Sequence, residues 1–249
     1  MLIFDIHNHF NRGSQYDYFN EKTKNIDKRD IDFFKSEYDN CDIKAGAFST
    51  YSSILTDKDT YESNEWLKNF SIKNDWVYQW LVLDPRQEKI FTQIRKYINS
   101  KKVLGIKIHS VFHGYDIEEY ADKIFSFADE LGTFVCMHPD KSSKMPYYAN
   151  KYPNMKLIIA HLGSEEHIRA IKEAKHGNIF TDTSGGASSS NNIIEYAVEQ
   201  IGSEKIFFGT DTYSCGFQKG RIEYARISEK DKENIFYKNA VKHFHIEFF

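Results

Sequence analysis

The segment Phe4-Asp-Ile-His-Asn-His9 ends the first apolar stretch of the chain, which begins at Leu2. A short apolar run of this kind predicts a buried strand. Side chains alternate along a strand, so His7 and His9 are expected to point the same way where that strand ends. Because two neutral imidazoles on one face can hold one metal ion, the segment predicts a strand that carries a pair of metal ligands.

Short apolar segments alternate with helix-like ones along the rest of the chain. Helical spacing of apolar residues appears at 31–41, 117–131 and 194–201, and Ser228 has the position of a helix start. The strand candidates are Leu2–His7, Ile43–Thr50, Trp76–Leu83, Val103–His109, Thr133–His138, Lys156–His161, Asn178–Thr183 and Lys205–Asp211. This alternation of strands with helices in 249 residues predicts an α/β fold, the (β/α)8 or TIM barrel.

A doubly wound sheet is the alternative fold, and it often carries a Gly-rich phosphate turn after its first strand. The first strand here runs into histidines instead, and no Gly/Ser-rich or Pro-rich tract divides the chain. We therefore expect one barrel domain over residues 1–249. The polar, Tyr-rich stretch Asn11–Ile26 is predicted to form an irregular lid over the mouth of that barrel.

Composition excludes several classes of protein. Hydrophobic residues make up 41% and charged residues 28%, with a net charge of −3, so no basic surface for nucleic acid or for an anionic membrane is expected. Three cysteines without a C-x-x-C motif predict no disulfide framework. Neither a signal peptide nor an apolar run of about 18 residues is visible. These features favour a cytoplasmic protein that acts on a small molecule.

Four of the later strand candidates end in residues that can bind a metal or a substrate. In a parallel barrel the C-terminal ends of the strands meet at one rim, where barrel enzymes carry their active sites. We therefore expect these distant residues to converge on one cavity. They are Lys107, His109, His138, His161 and Asp211.

Strict alternation also assigns the faces of the strands. It places Asp5 on the same interior face of the first strand as His7 and His9. In the sixth strand it places Ile159 on the interior face with His161. The interior of the predicted barrel would then be polar at its C-terminal rim.

A metal site can be assembled from His7, His9, His138 and Asp211. Three nitrogens and one oxygen suit Zn²⁺, and Mn²⁺ or Fe²⁺ are alternatives. Such an ion lowers the pKa of bound water toward ~7, which gives a nucleophile at neutral pH. Asp211 would both contact the metal and accept the water proton, while His161 would donate a proton or polarise the substrate.

Six motifs in this order resemble a known superfamily. They are Phe4-Asp-Ile-His-Asn-His9, Gly105-Ile-Lys-Ile-His109, Met137-His138, Leu157-Ile-Ile-Ala-His-Leu-Gly163, Phe208-Gly-Thr-Asp211 and Asn234-Ile-Phe-Tyr-Lys-Asn-Ala240. Together they are similar to the amidohydrolase superfamily, and most closely to its amidohydrolase-2, decarboxylase-like branch. The resemblance covers nearly the whole chain and implies a metal-dependent enzyme with a distorted TIM barrel, often assembled as a homodimer.

The resemblance also implies roles for the site residues. His7 and His9, His138 and Asp211 would hold the catalytic metal. His161 would act in catalysis or bind a second ion. One ion is the expectation for this branch, and two would follow only with a carboxylated lysine on the fourth strand.

Lys107 has three interpretations that the sequence leaves open. It would carry a carbamate between two metals, contact an anionic substrate, or pair with a buried acid such as Asp5. His109 is predicted to contact the substrate. Arg86, which follows Asp84-Pro85 at the end of the third strand, is predicted to bind a substrate carboxylate, with a structural salt bridge as the alternative.

Three functions remain open on this basis. The first is hydrolysis of an amide, ester or lactone carbonyl by metal-activated water. The second is non-oxidative decarboxylation of an aromatic or unsaturated carboxylic acid on the same metal, which would need a basic clamp, with Arg12, Arg86 and Lys107 as candidates. The third is a metal-binding barrel without activity, although nothing is missing from the ligand set.

Overall fold

The structure is a computed structural model, and it describes residues 1–12, 26 and 28–246. The predicted lid at Asn11–Ile26 lies almost entirely outside these described residues. Asn11, at its start, donates its backbone N–H to the carbonyl of Arg29 at 2.8 Å. The residues on either side of this segment therefore lie next to each other.

Eight parallel strands pair with their neighbours in chain order. They are β1 (Phe4–Phe10), β2 (Ala45–Thr50), β3 (Val77–Val82), β4 (Val103–Ile108), β5 (Phe134–Met137), β6 (Lys156–Ile159), β7 (Ile179–Asp182) and β8 (Ile206–Phe207). The amide of Ile6 donates to the carbonyl of Phe208 at 2.9 Å, which joins β1 to the segment after β8. The sheet closes on itself in this way, and the predicted (β/α)8 barrel is confirmed.

Helices alternate with the strands and cover the outside of the barrel. They are α1 (Ile31–Asn40), α2 (Tyr51–Leu55), α3 (Thr60–Lys73), α4 (Glu88–Tyr97), α5 (Ser110–His113), α6 (Ile117–Leu131), α7 (Met145–Lys151), α8 (Glu165–Glu173), α9 (Ile193–Ile201), α10 (Cys215–Glu223), α11 (Glu229–Glu233) and α12 (Asn239–Phe244), with a π-helical turn at Asn234–Lys238. Ser228 accepts from the amide of Asp231 and caps α11, as predicted. No helix in the described part of the chain combines the length and the apolar character that a membrane span requires.

Apolar side chains fill the barrel below the rim. Trp80 spans this interior, and its indole N–H donates to the carbonyl of Ile6 at 2.6 Å. Around it packs a buried cluster that includes Phe4, Ile6, Ala47, Leu104, Phe134, Cys136, Ile158, Ala160, Phe180 and Phe207. This packed floor leaves space for polar residues only at the C-terminal rim.

The first strand does not alternate strictly, and the predicted position of Asp5 on the interior face is wrong. Asp5 pairs with Gly46 while Asn8 pairs with Phe48, so β1 has one residue more than β2 over this interval. This β-bulge allows Ile6 and His7, which are consecutive, both to reach the interior. The strand also continues to Phe10, so the two histidines lie within it rather than at its end.

The sixth strand also departs from strict alternation. Ile158 and Ala160 pack inside the barrel, whereas Ile159 packs against the helices, so the predicted interior position of Ile159 is wrong. His161 reaches the cavity because its backbone leaves the strand in the left-handed region, with φ 62°. A non-glycine residue in that region is strained and often marks a functional site.

The opposite end of the barrel is closed by α12. The His243 ring packs against Phe180 at 5.0 Å, Phe134 at 5.7 Å and Phe207 at 5.8 Å between centroids. Burial, together with the charges of nearby lysines, lowers the pKa of His243 to about 4. The folded protein therefore holds this imidazole neutral at pH values where the unfolded chain would protonate it.

We expect His243 to contribute to loss of stability in mild acid. Its pKa is lower in the folded state than the ordinary value of 6.5, so the free energy of unfolding falls as the pH drops from about 6.5 to about 4. His243→Phe keeps an aromatic ring against the phenylalanines and should make this fall shallower. Urea denaturation at pH 7 and pH 5 measures the difference. The exposed His176→Gln serves as a control, and an equal pH dependence in all three proteins would contradict the assignment.

Candidate active site

The C-terminal rim of the barrel surrounds a cavity of about 630 Å³. Its size suits a small-molecule ligand. The predicted site residues that line it are His7, His9, Lys107, His109, His138, His161 and Asp211. Residues that the sequence did not single out also line it, and they include Arg29, Tyr51, Phe112 and Thr212.

Two imidazoles from β1 converge on the carboxylate that follows β8. His9 Nε2 lies 3.3 Å from Asp211 Oδ1, and His7 Nε2 lies 3.8 Å from the same oxygen. The ligand atoms of these three residues all lie within 4.8 Å of one another. His161 Nε2 lies on the other side, 3.7 Å from Asp211 Oδ2.

Hydrogen bonds at the far ring nitrogens fix the state of both β1 histidines. His7 Nδ1 lies 2.9 Å from the carboxylate of Asp182, and His9 Nδ1 lies 3.2 Å from the carbonyl of Ser49. The carboxylate and the carbonyl can only accept, and the Ser49 hydroxyl, 2.8 Å from His9 Nδ1, can accept as well, so each Nδ1 carries the proton and each Nε2 keeps its lone pair. Burial, reinforced by the charge of Lys107, lowers the pKa of His7 to about 3, and burial also lowers the pKa of His9.

Three acceptors therefore face one another at the centre of the site: the Nε2 atoms of His7 and His9, and the Asp211 carboxylate. Burial opposes the charge on Asp211, but its close contacts with His9 and His7 hold its pKa well below the usual range. Such a set is unfavourable unless a cation lies between the atoms. Two nitrogens and a carboxylate oxygen are the donors that zinc and related divalent ions prefer, so these residues fit a metal ion.

Asp182 and Ser184 support this arrangement, and the sequence analysis missed both. Asp182 is fully buried at the end of β7, and its Oδ1 accepts the amides of His161 at 3.1 Å and Ser184 at 2.9 Å. The Ser184 hydroxyl lies 2.8 Å from His161 Nδ1 and 2.9 Å from His7 Nδ1. The sequence did contain one indication of Asp182. It is a carboxylate near the end of the seventh strand candidate, where other strand candidates carry the predicted ligands.

Hydrogen bonds to β1, rather than to β8, fix the backbone of Asp211. Its amide and that of Thr210 donate to the His7 carbonyl at 2.7 and 3.2 Å, and the Thr212 amide donates to Asn8 Oδ1 at 3.1 Å. Asp211 and Thr212 both take the left-handed conformation, with φ 50° and 66°. Strain of this kind persists only where neighbouring contacts impose it, and here those contacts aim the carboxylate into the cavity.

His138 lines the cavity beside His109, further from the three converging acceptors. The two rings stack at 4.3 Å, and the His138 ring meets that of His161 edge-on at 5.1 Å. Burial, with the neighbouring His161, lowers the pKa of His138 to about 4. His109 Nδ1 accepts from the amide of Phe112, which leaves the proton of a neutral His109 ring on Nε2.

Lys107 reaches the metal-ligand cluster from the floor of the cavity. Its Nζ lies 2.8 Å from His7 Nε2 and 3.6 Å from Cys136 Sγ. Asp5, one of its predicted partners, instead accepts from Tyr38 and Thr210 outside the barrel wall. The interpretation of Lys107 as the partner of Asp5 is therefore wrong.

The structure does not bring Arg86 into the cavity. Its guanidinium bonds to both carboxylate oxygens of Asp84, at 2.9 and 2.8 Å, and to the carbonyl of His113 at 2.9 Å. Arg12 is similarly paired with Asp59 at 2.9 Å. Both arginines thus form structural salt bridges. For Arg86, this is the alternative that the sequence analysis gave.

Arg29 is the arginine that lines the cavity. Its guanidinium lies over the ring of Tyr51, 4.8 Å from the centroid, and donates to the Tyr51 hydroxyl. Arg29 precedes α1, and its backbone is tied to the end of β1 through Asn11. It follows the lid segment rather than a strand, so strand-end reasoning could not find it.

We expect Asp182→Asn to weaken divalent-metal binding about 10- to 100-fold. Asp182 Oδ1 is held by backbone amides, so an asparagine would keep its oxygen there and turn its NH₂ group toward His7 Nδ1. His7 would then move its proton to Nε2 and lose the lone pair that faces the metal. Competition with a fluorescent chelator measures the affinity.

Asp84→Asn is the matched control for this change, because Asp84 is equally buried at the end of β3 but pairs with Arg86. It should leave metal affinity unchanged. Equal affinities for wild type and Asp182→Asn would contradict the proposed support of His7.

Comparison with known proteins places this geometry in a family. The profile of the amidohydrolase family matches residues 4–246. A search of curated proteins gives no match.

Solved structures share the fold at low sequence identity. A dihydroxybenzoic acid decarboxylase from Polaromonas, with bound manganese and the inhibitor 2-nitroresorcinol, is 16% identical with a TM-score of 0.74, over 98% of this chain and 96% of its own. An amidohydrolase from Burkholderia multivorans with bound zinc is 13% identical with a TM-score of 0.76, over 99% and 100%.

A probable 2-pyrone-4,6-dicarboxylic acid hydrolase from Acinetobacter baumannii, with citric acid bound, is 16% identical with a TM-score of 0.71, again over 99% and 100%. At these identities the likeness concerns the fold, whereas the family profile spans nearly the whole chain. This chain is an enzyme of the amidohydrolase family.

Proposed function

We propose that this enzyme is a metal-dependent hydrolase that attacks the amide, ester or lactone carbonyl of a small substrate. The observation that carries the proposal is the convergence of His7 Nε2, His9 Nε2 and the Asp211 carboxylate in one cavity. These three residues would hold the ion, with His138 as the predicted fourth ligand. Zinc is the ion we propose, because two or three imidazoles and one carboxylate are a common zinc set. The single domain, the homodimer and the cytoplasmic location stay predictions.

The ion, when bound, would supply a Lewis acid that polarises the substrate carbonyl and makes water acidic enough to attack at neutral pH. The chain supplies the proton transfers. Asp211 stays ionised and can accept the proton of the attacking water. His161 has its Nδ1 fixed by the carbonyl and hydroxyl of Ser184, so its Nε2 can take up that proton and pass it to the leaving group.

Substrate binding is assigned to other residues that line the same cavity. His109 can donate from Nε2 to a substrate oxygen, because its Nδ1 accepts from a backbone amide. Lys107 and Arg29 bring positive charge to the same space. The only acidic residue among the described lining residues is Asp211, so the cavity favours an anionic substrate.

Decarboxylation of an aromatic or unsaturated carboxylic acid is the second candidate. The observation that favours it is the combination of Arg29 with the aromatic rings of Tyr51 and Phe112 around the cavity. An arginine can bind a carboxylate through two parallel hydrogen bonds, and flat rings form a slot for an aromatic substrate. The manganese-bound decarboxylase with the same fold is consistent with this reaction.

Asp211→Asn should lower turnover by about a hundredfold or more, because the variant cannot accept the proton of water. The assay is a panel of esters, lactones and amides, with CO₂ release from aromatic acids followed in parallel. The reaction found in wild type decides between the two candidates.

Asp140→Asn is the control for Asp211→Asn. Asp140 lies in the loop after β5, accepts from Ser110 and does not line the cavity. Turnover that survives in Asp211→Asn, with metal content equal to wild type, would remove Asp211 from the mechanism.

Arg29→Gln should raise KM for a carboxylate substrate by roughly 10- to 100-fold and change kcat less, because a charge-assisted hydrogen bond contributes about 1.5–3 kcal/mol. Arg86→Gln, which removes an arginine already paired with Asp84, should leave KM unchanged. An unchanged KM in Arg29→Gln would show that the substrate anion is bound elsewhere.

A further inference from the structure

Lys107 is an unusual neighbour for a metal site. Its side chain is 1% exposed, and within the described part of the chain its Nζ forms hydrogen bonds only with His7 Nε2 and Cys136 Sγ. No carboxylate oxygen in the described part of the chain forms an ion pair with it. A buried cation that no carboxylate contacts directly is unfavourable, so the position of Lys107 should depend on what else occupies the cavity.

The hydrogen bond to His7 uses an electron pair that a metal would also need. His7 Nδ1 is committed as a donor to Asp182, so Nε2 has one lone pair to offer. That pair accepts from Lys107 at 2.8 Å. One lone pair cannot bind the ammonium group and a metal ion together, and two buried cations at such a distance repel each other strongly.

We propose that Lys107 is a built-in competitor of the metal, and that a small carboxylate relieves the competition. This inference rests on the metal site of the proposed function. Metal binding removes the partner of Lys107 at His7. The only acid among the described lining residues is Asp211, itself a proposed ligand, so a carboxylate ligand in the cavity is the available partner for the displaced ammonium group.

Metal and carboxylate should therefore bind with positive coupling. A carboxylate that pairs with Lys107 makes metal binding tighter, and by linkage the metal makes carboxylate binding tighter by the same factor. Lys107 is then a positioning residue that loads the metal together with an acidic substrate. It would keep the ion exchangeable when the cavity holds no anion.

The test compares zinc affinity in wild type and Lys107→Met by chelator competition, with and without benzoate as a non-reacting carboxylate. We expect Lys107→Met to bind zinc at least tenfold more tightly in the absence of benzoate. Benzoate should tighten zinc binding in wild type, and this effect should be at least threefold smaller in the variant. Lys107→Gln, which keeps a polar end without the charge, should change both quantities in the same direction.

Lys102→Met is the matched control. Lys102 immediately precedes β4, at the opposite end of the strand that carries Lys107, and donates to the carbonyls of Ser71 and Asn74. Its loss should leave zinc affinity and the benzoate effect unchanged. Circular dichroism and thermal unfolding confirm that each variant is folded.

Any other result would overturn the proposal, and the possible results do so for different reasons. Equal zinc affinity in wild type and both Lys107 variants would show that the lysine does not compete. Weaker zinc binding in the variants would make Lys107 a ligand, as a lysine carbamate would be. An unchanged benzoate effect would remove the coupling. Failure of all the proteins to bind zinc or manganese would overturn the metal site of the proposed function as well.

Discussion

Closure of β1 against the segment after β8 is the constraint on which the site depends. The His7 carbonyl accepts the amides of Thr210 and Asp211, so the backbone of one ligand fixes the backbone of another. Behind this contact, the fully buried Asp5 accepts from the amide and hydroxyl of Thr210, at 3.2 and 2.5 Å, and from Tyr38 at 2.7 Å. Burial raises the pKa of Asp5 to about 7 although these hydrogen bonds oppose the rise.

Burial and the contacts within the site keep the His7 imidazole neutral and the Asp182 carboxylate ionised. Burial favours the uncharged imidazole of His7, whereas the contact with His7, the nearby His161 and the Ser184 hydroxyl keep the pKa of the Asp182 carboxyl well below its usual range despite burial. The charge on Asp182 in turn holds the His7 proton on Nδ1. A cation at the centre is the complement of this arrangement, whether it is the Lys107 side chain or a divalent metal.

The sequence was sufficient for the fold and for most of the cavity. Eight apolar segments of strand length, with helix faces between them, define a (β/α)8 barrel almost without reference to side-chain detail. Residues at strand ends then fall at one rim, which is why Lys107, His138 and Asp211 could be placed in one cavity. His161 reached the predicted cavity by another route, through a left-handed backbone rather than through alternation.

The parts that could not be predicted depend on irregular backbone and on tertiary pairing. The bulge after Asp5 is defined only by its register against β2, so the sequence of β1 alone does not reveal it. Arg86 was predicted because it follows the third strand, but it pairs with Asp84, whereas Arg29, which lines the cavity, follows the lid segment and no strand. Asp182 was missed because its partner, His7, lies 175 residues away in the chain.

Anomalous diffraction from crystals grown with zinc tests the central claim most directly. Data collected on both sides of the zinc absorption edge locate the ion independently of any activity. The account predicts one peak per chain, within bonding distance of the Nε2 atoms of His7 and His9 and of the Asp211 carboxylate. A peak bound to other residues, or none at this rim, would contradict it.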